Sequence, residues 1–173
     1  MSDESQGLVD RQKIWECLLR YTRGVDRLDR ALTLAAFHPD AMIDQGAFRG
    51  GREAFADWVL GHHRDHQAVT QHTMTNFLCE IDGEFAHSET YVSYYGVNLT
   101  GKDSFAVGRY VDRLERRAGQ WRIVDRVCVT EGATDFDKNA VVARFSPGPQ
   151  SIARSTRNTS DPSYARPLAI QRD

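Results

Sequence analysis

The 173-residue sequence contains no apolar run near the ~20 residues that a bilayer-spanning helix requires, which excludes a helical membrane protein. Cysteine is sparse. Cys17, Cys79 and Cys128 are odd in number, far apart and without a CxxC pair, so they read as reduced core thiols rather than a disulfide or zinc framework. Neither charge predominates: 22 Lys and Arg against 24 Asp and Glu, interspersed, point to neither nucleic acid nor an anionic membrane as a partner. The first seven residues are polar and acidic, the wrong chemistry for a secretory signal, and the chain is expected to be cytoplasmic. There is no HExxH helix, no phosphate-cradling glycine loop and no Ser or Cys nucleophile motif. His62 and His66 stand one helical turn apart, but a third ligand would have to be assumed, so neither a metal nor a cofactor is expected. Proline is confined: four of the five lie after residue 144, among Ser, Thr, Asn and Arg, which marks a tail.

The remaining chain has ordinary globular composition, 40% hydrophobic and 27% charged, and suits one domain with one sizeable core. Over 8–28, Ile14, Leu18, Tyr21, Val25 and Leu28 recur at spacings of four and three, which predicts an amphipathic helix. A second row, Trp15, Leu19, Thr22 and Asp26, runs beside it, and Gly24 marks a break or a close approach. A shorter helix is expected over 29–37, stopped by a turn at His38-Pro39-Asp40. Next come a small hairpin around Gln45-Gly46 and a helix over 52–66. From Thr70 the period changes to two, predicting strands over 70–81, 86–98, 105–117 and 121–131 joined by glycine-containing turns. Helices followed by hairpin-linked strands imply an α+β domain over 1–135, with helices on one face of an antiparallel sheet. Residues 136–173 are then an extension, either a tail or a pocket lid.

Three side chains could carry chemistry. Asp26 ends a half-buried row and must find a partner, which could equally be Arg23, Arg27 or Arg30. His72 shares a strand face with Thr70, Met74, Asn76 and Leu78, while Phe77 and Cys79 fall on the other face. If His72 met Asp26, the carboxylate would set the tautomer and stabilise the imidazolium formed when the ring removes a proton. Arg126 alternates with Val124 and Cys128, so its guanidinium is expected indoors, stabilising a pocket anion or pairing with Asp26. Trp58, Met74, Phe77 and Tyr94 are expected as pocket walls on pattern alone, Phe77 with the least support, and Asn76 supplies a polar neighbour.

Several strings, in order, resemble the SnoaL-like family. They are Arg20-Tyr21-Thr22-Arg23-Gly24-Val25-Asp26, Phe37-His38-Pro39-Asp40-Ala41, His72-Thr73-Met74-Thr75-Asn76, Glu80-Ile81-Asp82-Gly83 and Glu89-Thr90-Tyr91. Gly108 to Arg117 and Trp121-Arg122-Ile123 complete the set. The resemblance spans about 8–131 and implies a nuclear transport factor 2-like (cystatin-like) cone, a curved sheet closed by helices around a pocket. It implies Asp26 and His72 as a proton-abstracting dyad and Arg126 as the arginine of the last strand. Where dehydrochlorinases of the family have lysine, Tyr21 stands, as in a bile acid dehydratase, which tilts the reading toward loss of water. The implied activity is a cofactor-independent lyase acting on a small apolar cyclic or steroid-like molecule. An isomerase or polyketide cyclase, with Asp26 shuttling the proton, and a non-catalytic binding module are the alternatives. The family also implies a homo-oligomer, with a trimer favoured.

Overall fold

A computed structural model describes residues 3–138 and 155–169; expectations for 139–154 and 170–173 lie outside the described residues. The elements follow the order α1 (Asp3–Asp26), α2 (Arg30–Ala35), β1 (Phe37–Asp44), β2 (Arg49–Gly51), α3 (Arg52–His66), β3 (Gln67–Asp82), β4 (Phe85–Asn98), β5 (Asp103–Arg117), β6 (Gln120–Phe136) and a 3₁₀ turn (Pro162–Tyr164). No described helix is long and apolar enough to cross a membrane.

The α1 stripe Ile14, Leu18, Tyr21 and Val25 is buried, whereas Leu19 of the second row stands exposed. The helix ends at Asp26, two residues before its apolar periodicity does. Leu28 adopts φ 54°, its N–H donates to Val25 O (3.2 Å), and Asp29 N–H donates to Gly24 O (2.8 Å). This is a Schellman closure with leucine in the left-handed position usually given to glycine, so no composition signal announces it. Asp29 then caps α2 through its carboxylate. The break folds α2 back on α1, and Gly24 meets Thr33 so closely that a Cβ would lie 2.6 Å from the Thr33 nitrogen and Oγ1.

The expected turn at His38-Pro39-Asp40 is instead part of β1. Ile123 N–H donates to Ala36 O (2.9 Å), Phe37 pairs with Ile123, and the register shifts before Met42 pairs with Asp125. Pro39, without an N–H, occupies that irregular stretch, where no ladder bond is required of it. The sheet order is β2-β1-β6-β5-β4-β3. All pairings are antiparallel except β1 with β6, which is parallel and corrects the wholly antiparallel expectation. β6 also continues to Phe136, past the point where the sequence pattern fades.

Although β1 and β3 lie four strands apart, α3 packs against both. The sheet therefore curves around the helices, and its irregularities at 75–77 in β3 and at 123–125 and 130–132 in β6 are where such curvature is taken up. The first has a local consequence. Asn76, with φ 22°, is an extra, exposed residue that resets the alternation of β3. Phe77 and Cys79 consequently join His72 on the inner face, and Leu78 points outward, 63% exposed.

The α1–α2 contact makes a direct test. Gly24→Ala is expected to lower the unfolding free energy by about 1–3 kcal/mol, measured by urea denaturation; an unchanged midpoint would show that the Thr33 contact yields freely.

Candidate active site

The last turn of α1 delivers Asp26 to the start of β3. His72 Nδ1–H donates to Asp26 Oδ1 at 2.7 Å, and the His72 backbone N–H donates to Asp26 Oδ2 at 2.9 Å. A carboxylate only accepts, so these bonds put the ring proton on Nδ1 and leave the Nε2 lone pair free. Asp26 is buried behind the ring, and His72 itself lines a cavity of about 310 Å³. The arginines that could have claimed Asp26 are engaged elsewhere: Arg23 with Ser163 O, Arg27 with Asp161, Arg30 with Glu53 and Asp57.

The cavity is bounded on one side by α3, through Trp58, Val59, His62 and His63, and on the other by β4, β5 and β6, through Val92, Tyr94, Tyr110 and Cys128. Tyr21 closes it from α1. Of the side chains expected at a pocket, His72, Tyr21, Trp58 and Tyr94 do line it. Met74 and Asn76 do not: Met74 packs against the core, and Asn76 is the exposed bulge residue. Phe77, though inward, packs on Trp15 in a tilted pair with ring centroids 5.1 Å apart and belongs to the core below.

Arg126 is also indoors but not where either expectation placed it. Its Nε–H and Nη2–H donate to the two oxygens of Asp112, both at 2.7 Å, and both side chains are fully buried. The rings of Tyr21 and Tyr110 flank the guanidinium, 4.3 and 4.2 Å from its carbon. Burial works against the charge, but the Asp112 carboxylate and its hydrogen bonds outweigh it, and the arginine is held more firmly protonated. Arg126 does not line the cavity; it supports two tyrosines that do. Burial pushes the Tyr21 phenol up to about 12 and Tyr110 well above its usual value, so both remain O–H donors at neutral pH.

A second group of residues surrounds the dyad. His63 lies 5.7 Å from His72 and Tyr94 5.0 Å, ring centre to ring centre. Burial, opposed by a hydrogen bond to Gln67, pushes His63 down to about 4, so it is neutral. Arg157, from the C-terminal segment, donates to Asp26 O, His63 O, Gln67 O and Thr70 Oγ1. One guanidinium thus joins the ends of α1 and α3 to the start of β3. The rest of that segment docks on α1 and α2: Tyr164 O–H donates to Asp29 Oδ2 at 2.8 Å, and the Arg23 guanidinium lies 4.7 Å over the Tyr164 ring. None of its described residues lines the cavity, so this part braces the dyad from behind rather than covering the mouth. The His62 and His66 rings stack at 4.9 Å, and no third His, Cys, Asp or Glu joins them among the described residues.

A family model for the SnoaL-like domain matches residues 6–127. The chain belongs to the SnoaL-like family. Solved structures agree on a nuclear transport factor 2-like fold. Hexachlorocyclohexane dehydrochlorinase (LinA) type 2 superposes with a TM-score of 0.74 at 18% identity, covering 86% of this chain and 100% of that one. A Novosphingobium aromaticivorans protein with a provisional scytalone dehydratase name gives 0.70 at 21% identity, over 79% and 94%. A Mycobacterium tuberculosis protein of unknown function gives 0.65 at 21% identity, over 99% and 97%. No curated protein sequence matches the chain. At these identities the likeness carries the fold. His63 and Gln67, within the matched SnoaL-like domain, and Arg157, beyond it, are the site residues that sequence reading missed. His63 sat in a run of histidines with no pattern to single it out, and Arg157 lies in a polar segment whose docking has no periodicity.

Two outcomes follow from the buried charges. Asp112→Ala, which strands the Arg126 charge, is expected to cost about 3–5 kcal/mol of stability, while the paired replacement Asp112→Leu/Arg126→Met costs less; chemical denaturation of the two variants beside the wild type checks both. His63, depressed when folded, adds stability that is complete above its unfolded value near 6.5 and is lost as pH falls toward 4. His63→Gln is therefore expected to flatten the pH dependence of unfolding between about 6.5 and 4; an unaltered slope would mean that His63 is not neutral in the fold.

Proposed function

We infer that this SnoaL-like protein is a cofactor-independent lyase that removes water, or another small leaving group, from an apolar cyclic substrate. The observation that carries the reading is the double clasp of Asp26 by His72 at the wall of an apolar cavity. His72 Nε2, with its lone pair turned from Asp26, takes a proton from a carbon of the substrate. Asp26 stabilises the imidazolium that results, without itself taking the proton. The electron pair left on carbon forms the double bond as the neighbouring carbon–oxygen bond breaks, and the imidazolium returns its proton to the departing oxygen. Tyr21 donates a hydrogen bond to an oxygen on which negative charge develops. Arg126 and Asp112 act through Tyr21 and Tyr110, as positioning residues.

Both Asp26 oxygens are occupied by His72 and the carboxylate is not part of the cavity wall, which favours His72 as the base over a reaction in which Asp26 shuttles the proton. The dehydratase and dehydrochlorinase names of the structural neighbours fit an elimination. Self-association belongs to the same reading. The outer sheet face carries exposed Tyr91, Val111 and Val127, a surface suited to a second copy of the chain and to the trimer expected from the family.

A panel of hydroxysteroids, hydroxy ketones and halocarbons, assayed by mass spectrometry for loss of water or halide, identifies the substrate. With it, His72→Ala and Asp26→Asn are each expected to lower kcat by about 10²–10⁴-fold. Full activity in His72→Ala would sink the reading, and activity lost only in Asp26→Asn would move it to an isomerase.

A further inference from the structure

The hydrogen-bond network beside the dyad dictates more than its contacts. Asn98 Nδ2 faces the Lys102 carbonyl oxygen at 2.6 Å and Ser104 Oγ at 2.9 Å. A carbonyl only accepts, and the Ser104 hydroxyl donates to Asp135 Oδ1, so the Asn98 amide has one possible orientation. Its Oδ1 is then an acceptor facing Gln67, 3.2 Å from Gln67 Nε2. Gln67 must present its NH₂ there, and the same NH₂ donates to the Tyr94 hydroxyl oxygen. Gln67 Oε1 is left facing His63 Nδ1 at 2.5 Å, which obliges Nδ1 to carry the proton.

Two consequences reach the cavity. His63 is neutral with its proton on Nδ1, so Nε2 holds a lone pair, and this atom takes no hydrogen bond among the described residues. The Tyr94 oxygen already accepts from Gln67, so its own proton is free to be donated; burial pushes the phenol up to about 12 and keeps that proton in place. Both rings line the cavity and both neighbour His72. Gly96 makes room for the arrangement, because a Cβ there would overlap the Tyr94 hydroxyl and lie 2.8 Å from Gln67 Nε2.

We propose that His63 and Tyr94, held by Gln67, form a cradle for a neutral hydroxyl group of the substrate, which accepts from Tyr94 and donates to His63. A hydroxyl is the one simple neutral group that satisfies both partners through a single atom. A halogen or a carbonyl oxygen uses the Tyr94 donor but leaves the His63 lone pair facing another lone pair. A carboxylate adds a charge to that repulsion, and an amine is an ammonium at neutral pH with nothing for Tyr94. The cradle assigns the substrate class as an alcohol and, resting on the lyase reading of this cavity, places the alcohol beside His72 as the group that leaves as water.

Binding tests the cradle without turnover. The probes are 2-tetralol and its 2-chloro and 2-methyl counterparts, titrated into the full chain by calorimetry. The alcohol is expected to bind at least about tenfold more tightly than either analogue, with a preference that survives in His72→Ala. Gln67→Leu, and independently Gly96→Ala, should reduce it to within about twofold, since each releases the orientation of both rings. The ¹⁵N shifts of His63 should report the Nδ1–H tautomer at pH 7 in the wild type. Equal binding of the chloro analogue, no binding of the alcohol, a preference untouched in both variants, or the Nε2–H tautomer would each overturn the proposal. A confirmed cradle with no elimination from any alcohol would instead overturn the lyase reading alone.

Discussion

Asp26 is held between a helix end and a strand start, and the arrangement of the whole site depends on that attachment. One carboxylate accepts from both the backbone and the side chain of the same residue, His72, so strand and ring are oriented by a single anchor. Charge-assisted bonds of this kind are short and directional. Among the described residues no arginine side chain bonds the carboxylate, and both of its donors are from His72. Both carboxylate oxygens are thereby turned toward His72.

Around this anchor the protein separates its charges by role. A fully buried ion pair, Arg126 with Asp112, is removed from the cavity and flanked by tyrosine rings. It keeps a full charge indoors without offering it to a ligand. The cavity wall itself is neutral at physiological pH around the dyad: His63 is depressed by burial, and Tyr21 and Tyr94 are raised by it. Apolar side chains such as Val59, Val92 and Val129 complete the lining. Such a wall disfavours an unpaired charge in the cavity, which would be desolvated without compensation.

The C-terminal segment shows how a polar tail can serve the interior. Arg157 brings four N–H···O contacts to the carbonyls and hydroxyl where α1, α3 and β3 converge. Two of these acceptors, the Asp26 and His63 carbonyls, lie in the last turns of helices, where the helix itself leaves carbonyls short of donors. The segment therefore completes the framework behind Asp26.

Periodicity alone was enough for the helices, the four long strands and the α+β class, because burial on one face imposes 3.6 on a helix and two on a strand. The meeting of Asp26 with His72 was legible as a possibility, since one ended a buried row and the other shared a face with Met74. Three matters were settled only by tertiary structure. The leucine-closed helix end and the Asn76 bulge each turn the chain by a positive φ in a residue other than glycine, and alternation cannot be read across them. The partner of Arg126 could not be told from Asp26 by sequence, because Asp112 becomes its cross-strand neighbour only when β5 pairs with β6 in this register. The contacts of His63, Tyr94 and Arg157 join residues separated by up to 131 positions. Local pattern determines which residues turn inward; which of those meet, and in what protonation state, is decided by the curvature of the sheet.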